Sequence, residues 1–175
     1  LGKIRAFGCS NETSWGLMKS LWAADVHGLR RYETVQNNFS LLNRRCENEL
    51  AQVCRQEDVS LLPYSPLAGG VLTGKYLNGQ YPAGARFSAY LDTGNDRQKA
   101  MARRFINERT LDATQRYIDI AESIGHSVTT MATAWSKQHD FVGSTIVGAT
   151  SVEQLEECLL GADLVLNDET MDLLD

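Results

Sequence analysis

The sequence predicts an α/β domain in which parallel strands alternate with helices. Three observations predict it. Short apolar runs recur at residues 4–9, 33–37, 59–63 and 144–147. Each is followed by apolar residues at helical spacing, and strand–helix alternation implies parallel pairing. Each run is short and carries β-branched or small apolar residues, as strands buried by flanking helices do.

The elements follow in order. Residues 4–9 form the first expected strand, entered through Leu1-Gly2-Lys3-Ile4-Arg5; with no methionine at its head, this start reads as lying inside a larger protein. Ser14 is placed as a helix N-cap, with Leu17, Met18, Leu21 and Trp22 at helical spacing and Gly28 as the stop. The second strand is 33–37, and a helix over about 46–56 turns Leu50, Val53 and Cys54 to one face. The third strand is 59–63. Residues 64–96 read as a long loop, because Gly69, Gly70, Gly74, Gly79, Gly84 and Pro82 interrupt any regular element. Loops of that length are usually functional or disordered, and 87–96 reads equally as a lid over a site or as disorder. Helices are expected over 98–124, divisible at the polar stretch 107–110, and over 128–137 behind Ser127. The last strand, 144–147, turns at Gly148-Ala149-Thr150-Ser151 into a helix over 152–160, where Ser151 and Gln154 match a capping box. A short final helix starts near Asn167-Asp168.

Four parallel strands make a small open sheet or half of a (β/α)8 TIM barrel, whose full form typically takes about 250 residues. A half-barrel leaves sheet edges and an apolar interior uncovered, so it pairs with missing sequence or with a second copy of itself.

With 175 residues the chain is expected to be a single domain, 1–175. A net charge of −5 argues against a nucleic-acid partner. No apolar run approaches the roughly 20 residues of a membrane span, and no signal peptide is evident. Cys9, Cys46, Cys54 and Cys158 form no C-x-x-C pair and read as reduced thiols of a cytoplasmic protein. His27, His126 and His139 are scattered, so no metal site is expected.

The strand ends carry the chemistry. Ser10 and Asn11 end the first strand, and Gln36 with Asn37-Asn38 ends the second. Each alone reads as a turn or a structural hydrogen bond. The third delivers Tyr64-Ser65-Pro66-Leu67, where Pro66 biases Ser65 toward extended backbone and Tyr64 presents its ring at the rim. A glycine-rich loop then leads to Lys75 and Arg86, cations able to neutralise phosphates. The fourth ends at Gly148–Ser151, a helix start whose N–H groups suit an anion, with Gln154, Glu157 and Cys158 on one helix face. An aromatic ring, free N–H groups and a cation in succession suit a flat ring joined to phosphates, and a nicotinamide dinucleotide has that shape.

As a set, Ile4-Arg5-Ala6-Phe7-Gly8-Cys9-Ser10-Asn11, Val35-Gln36-Asn37-Asn38-Phe39-Ser40-Leu41-Leu42-Asn43-Arg44, Pro63-Tyr64-Ser65-Pro66-Leu67-Ala68-Gly69-Gly70 through Gly74-Lys75-Tyr76, and Gly148-Ala149-Thr150-Ser151 with Gln154-Leu155-Glu156-Glu157 resemble the C-terminal half of an aldo-keto reductase. The long connection with Arg86 is similar to the branch holding Tas-like reductases and potassium-channel beta subunits. The resemblance implies a (β/α)8 barrel that binds NADP(H) in extended form and reduces aldehydes or ketones. It implies that Ser10, Asn11 and Gln36 hold the nicotinamide carboxamide and that Tyr64 stacks on the ring. Ser65, Pro66, Leu67, Gly69, Leu72 and Lys75 then line the pyrophosphate, with Arg86 closing over it. Gly148, Thr150, Gln154, Glu157 and Cys158 hold the adenosine 2′-phosphate end. Cys158 departs from the family's usual Asn. The family's catalytic Asp, Tyr, Lys and His come from four strands that are not among these, so no residue here is assigned as catalytic. Two further readings stand beside this one: a redox-sensing regulatory subunit that binds NADP(H) with little turnover, and a truncated fragment without activity.

Overall fold

The structure, a computed structural model, describes residues 3–175. The expected strand entrance at Leu1 and Gly2 lies outside the described residues. A parallel sheet of three strands runs in the order β1 (Gly8–Ser10), β2 (Thr34–Asn38), β3 (Ser60–Tyr64). Its register pairs Ser10 with Gln36, Gln36 with Leu62 and Asn38 with Tyr64. The α/β architecture expected from the sequence is therefore present, with helices making up most of the chain and the sheet small.

The first strand is shorter than expected. Residues 3–7 are irregular and Ile4 is 72% exposed; ladder pairing starts only at Gly8. Gly8 is required there, since a Cβ would lie 2.2 Å from the Thr34 carbonyl oxygen. Helix α1 (Ser14–His27) is capped by Thr13, not Ser14: Thr13 is extended and its side chain accepts from the Gly16 N–H. Gly28, in the left-handed region at φ 61°, ends it. Its buried face is Leu17, Leu21 and Ala24, whereas Met18 and Trp22, expected inward, are exposed with Trp15 and Val26.

The expected helix start at Cys46 is a 3-10 turn, Arg45–Glu47, and α2 proper spans Leu50–Glu57. Leu50, Ala51 and Cys54 are its buried residues; Val53 packs on the core only in part. Strand alternation sends Val35 and Leu61, both fully buried, toward the helices. The row Ser10–Gln36–Leu62 takes the opposite face.

The fourth strand does not form as a strand. Residues 142–146 touch β3 only through two isolated parallel bridges, Leu61 to Val142 and Tyr64 to Ile146. The reason lies in β3. Leu61 both donates to Phe141 O and accepts from Gly143 N, and Pro63 accepts from Ile146 N at 2.8 Å. Pro63 has no N–H to return, so the ladder breaks after one rung.

The expected loop 64–96 is also more regular than its composition suggested. It holds 3-10 turns at Ala68–Thr73 and Leu77–Gly79 and a helix, α3 (Arg86–Asp92). Phe87 anchors α3: it is buried, stacks on Phe105 at 5.4 Å, and its N–H donates to the hydroxyl of buried Tyr76. The expected 98–124 helix is two, α4 (Asp96–Phe105) and α5 (Glu108–Ser123), divided where Asn107 caps the second with a reciprocal Thr110 bond. Ser127 caps α6 (Val128–Lys137) as expected, and α6 is buried over nearly its whole length. Ser151 caps α7 (Val152–Asp163) and Asn167 caps α8 (Asp168–Leu174).

Helix α6 is the centre of the core. Trp135 stacks on Phe39 at 4.8 Å, and the Arg44 guanidinium lies 5.3 Å over the Trp135 ring. Arg44 also bonds Glu47, the Leu174 carbonyl and Asp175, tying the end of α8 to the turn after β2. On the other side α7 approaches α6 closely at Gly161, where a Cβ would meet Thr130 O at 2.7 Å and Thr133 Cβ at 2.8 Å.

Two stability measurements follow from this packing. Gly161→Ala is expected to lower unfolding free energy by about 2 kcal/mol in urea titration, because backbone must move and overpacking outweighs alanine's helix-propensity gain. The second concerns His139, packed among Phe39, Trp135 and Phe141. Burial pushes its pKa below the ordinary 6.5, assisted by Arg44 and opposed by Glu47, Asp140 and Asp175. A folded pKa below the unfolded one means the unfolded chain takes up the proton first. Stability is full above about pH 7.5 and falls as pH drops through about 6.5. His139→Phe is expected to flatten the change in unfolding midpoint between pH 7.5 and 5.5.

Candidate functional site

Parallel register brings the C-terminal ends of β1, β2, β3 and the bridged residue Ile146 to one rim. Beside that rim lies a cavity of about 850 Å3, within the range of small-molecule and cofactor sites. Three walls enclose it: the loop after β3, the turn before α3, and the segment from Ile146 into α7, with Thr129 of α6 behind.

The first wall bends sharply. Ser65, Ala68, Gly69, Gly70 and Gly74 all have positive φ, between 51° and 93°. Ser65 was expected to be extended before Pro66, yet its φ is 56°. Its carbonyl closes a turn by accepting from Ala68 N at 2.8 Å, and buried Ala68, Val71 and Leu72 pin the loop to the core. A non-glycine residue there is strained, and packing of the neighbouring apolar residues offsets the strain. Gly70 leaves the space that the Lys75 side chain crosses: a Cβ would lie 2.6 Å from Lys75 Cε.

The structure gathers most of the expected residues on this cavity: Tyr64, Ser65, Pro66, Leu67, Gly69, Lys75, Arg86, Gly148, Thr150, Gln154, Glu157 and Cys158. Leu72 is not among them. It is fully buried and packs in the core. Ser10, Asn11 and Gln36 form a second cluster that meets the cavity through Tyr64. Tyr64 Oη donates to Asn11 Oδ1 at 2.6 Å, Asn11 N donates to Gln36 O at 2.9 Å, and Ser10 Oγ donates to Gln36 O at 3.2 Å. Asn37 takes the other face, donating to Glu12 O, and Asn38 accepts from Asn43.

The expected anion site at the start of α7 is partly closed. Ser151 accepts from Gln154 N as expected, but Gln154 Oε1 accepts from Thr150 N and its hydroxyl instead of completing a capping box. Lys75 and Arg86 supply positive charge to the lining and Glu157 a carboxylate. Burial, with Glu157 nearby, pushes the Cys158 thiol up, against a hydrogen bond with Thr133, so it lines the wall protonated. All four cysteines are free. Among the described residues no group of three or more His, Cys, Asp or Glu is placed to hold a metal, and no helix is long and apolar enough to cross a membrane.

Sequence reasoning missed Gly70, Thr73, residues 82–85, Thr129, Ile146 and Val147 on the cavity wall. The turn 82–85 carried a legible signal in Pro82 and Gly84. Thr129 carried none, since it reaches the cavity only because α6 packs under α7.

The family model described as the aldo/keto reductase family matches residues 1–175. The chain is 43% identical over 170 residues to protein Tas of Escherichia coli K12, covering 97% of this chain and 46% of Tas. It is 33% identical to an aldo-keto reductase of Babesia bovis, over 89% of this chain and 54% of that protein. It is 29% identical to an NADH-specific methylglyoxal reductase of Escherichia coli K12, over 99% of this chain and 48% of the relative. The chain thus spans about half the length of the relatives it matches. The family model over the whole chain and the relatives matched across it show that this chain belongs to the aldo/keto reductase family.

Proposed function

We propose that this chain, one domain over 1–175, supplies the coenzyme-binding half of an NADP(H)-dependent oxidoreductase that reduces aldehydes or ketones to alcohols. The observation that carries the reading is Tyr64, which belongs both to the amide cluster at the rim and to the wall of the cavity. A dinucleotide needs that continuity, with an amide-binding ring site at one end and phosphate-binding cations further along. Lys75 and Arg86 suit the phosphates, and the donor set of Thr150 and Gln154 suits the adenosine end. When bound, the coenzyme supplies the hydride. The residues of this chain fix its ring: Ser10, Asn11 and Gln36 take the carboxamide, and Tyr64 stacks on one face. That is positioning catalysis. In this reading proton donation to the product alkoxide comes from outside the residues described here.

We further propose that the four βα-like units form half of a (β/α)8 barrel. Two apolar stripes of the same spacing support this. Trp15, Met18 and Trp22 are exposed on α1, and Val152, Leu155 and Leu159 are exposed on α7, at the two ends of the array. Either four further βα units or a second copy of the chain covers them, and the doubled length of the matched relatives favours the first. The free thiols fit a reducing, cytoplasmic setting.

Two measurements test these readings. NADPH emission titration of the full chain is expected to give saturable binding, tighter than for NADH, and Tyr64→Ala is expected to weaken it roughly tenfold through lost stacking. Equal affinity for NADH would remove the NADP(H) preference, and unchanged binding in Tyr64→Ala would remove the stacking role. In gel filtration the chain alone is expected to elute as self-associated or heterogeneous material. A clean folded monomer would show that the stripes need no cover.

A further inference from the structure

We propose that Asn11 is a positioning residue that acts on the coenzyme through Tyr64, by holding the phenol in place over the cavity. The inference rests on the coenzyme-binding reading above and deepens it. The family resemblance implies Asn11 at the carboxamide and Tyr64 at the ring as separate contacts; the geometry couples them. Tyr64 Oη donates to Asn11 Oδ1 at 2.6 Å, a short bond between side chains 53 positions apart.

The amide that accepts this bond is itself oriented from the other side. Asn11 Nδ2 donates to Ser10 Oγ at 3.2 Å, and Ser10 Oγ in turn donates to Gln36 O. The hydroxyl proton of Ser10 is thereby committed. A flipped Asn11 amide would set an oxygen against an oxygen with no proton between them. The wire from the β2 carbonyl through Ser10 therefore dictates that Oδ1 faces Tyr64. The Asn11 backbone is held by the same carbonyl, with N donating to Gln36 O at 2.9 Å, and its φ of 56° is one that Asn tolerates better than most residues.

The phenol oxygen lies on the axis of ring rotation, so the bond to it restrains χ1 rather than ring flips. It sets where the ring stands relative to the Ser65–Pro66 wall. A ring fixed before binding loses less freedom when a flat heterocycle stacks on it. The second lone pair of Oδ1 stays available to a carboxamide N–H, so one acceptor can serve ring and ligand together.

A double-mutant cycle on NADPH affinity, read by coenzyme emission with the full chain, separates the two roles. Tyr64→Phe keeps the stacking surface and removes the hydroxyl. Asn11→Gly removes the side chain and accepts the left-handed backbone, so folding is preserved. Tyr64→Phe is expected to weaken binding about fivefold, Asn11→Gly by more because its carboxamide contact is lost too, and the double variant no more than Asn11→Gly alone, because the Tyr64 hydroxyl has already lost its partner. A double variant weakened by about a further fivefold beyond Asn11→Gly, or Tyr64→Phe binding like wild type, overturns the coupling. Failure of the unsubstituted chain to bind NADPH or NADH would instead sink the coenzyme reading on which the inference rests.

Discussion

Parallel registration of the strand ends is the constraint on which the rest depends. Tyr64 pairs with Asn38 on one side and with Ile146 on the other. From that position it reaches Asn11 with its hydroxyl and the cavity with its ring. Parallel strands separated by helices end on the same side of the sheet, which is why residues far apart in sequence converge there. A one-residue slip would send Gln36 to the helix side and Val35 to the rim, and the site would cease to exist.

The cavity wall is built against local preference. Ser65 and Ala68 adopt positive φ although neither is glycine, and Ser65 does so directly before a proline. Such a loop holds its shape only if tertiary packing over-determines it. Ala68, Val71, Leu72 and Tyr76 are fully buried, and the Tyr76 hydroxyl accepts from the Phe87 N–H. The same anchors thus shape the loop and seat α3, whose first residue, Arg86, brings its charge to the cavity. Core packing and ligand site share residues here, so a change in one propagates to the other.

Helix α6 plays the corresponding part on the far side. It is buried nearly throughout, receives α7 at Gly161, and places Thr129 behind the cavity. The wall carrying Gln154, Glu157 and Cys158 is therefore positioned by a glycine contact one turn further along the same face of α7.

Much of the fold and the site was legible in the sequence because the signals were local. Ser127, Ser151 and Asn167 announce helix starts through their own side chains, and Gly28 announces a stop through its freedom at positive φ. The strand-end residues were legible because polar groups break apolar runs, and most of them do meet at the cavity. Tertiary structure decided what no local signal carries. It chose Leu17 and Leu21 over Met18 and Trp22 as the buried face of α1, since apolar residues spread over more than one face cannot say which side meets a sheet. It broke the fourth strand, because Pro63 withholds an N–H from a partner some 80 residues away. It sent Leu72 to the core, turned Ser65 left-handed and joined Asn11 to Tyr64. Composition and spacing determine which groups the chain offers; only the packed register decides which of them stand within a hydrogen bond of one another.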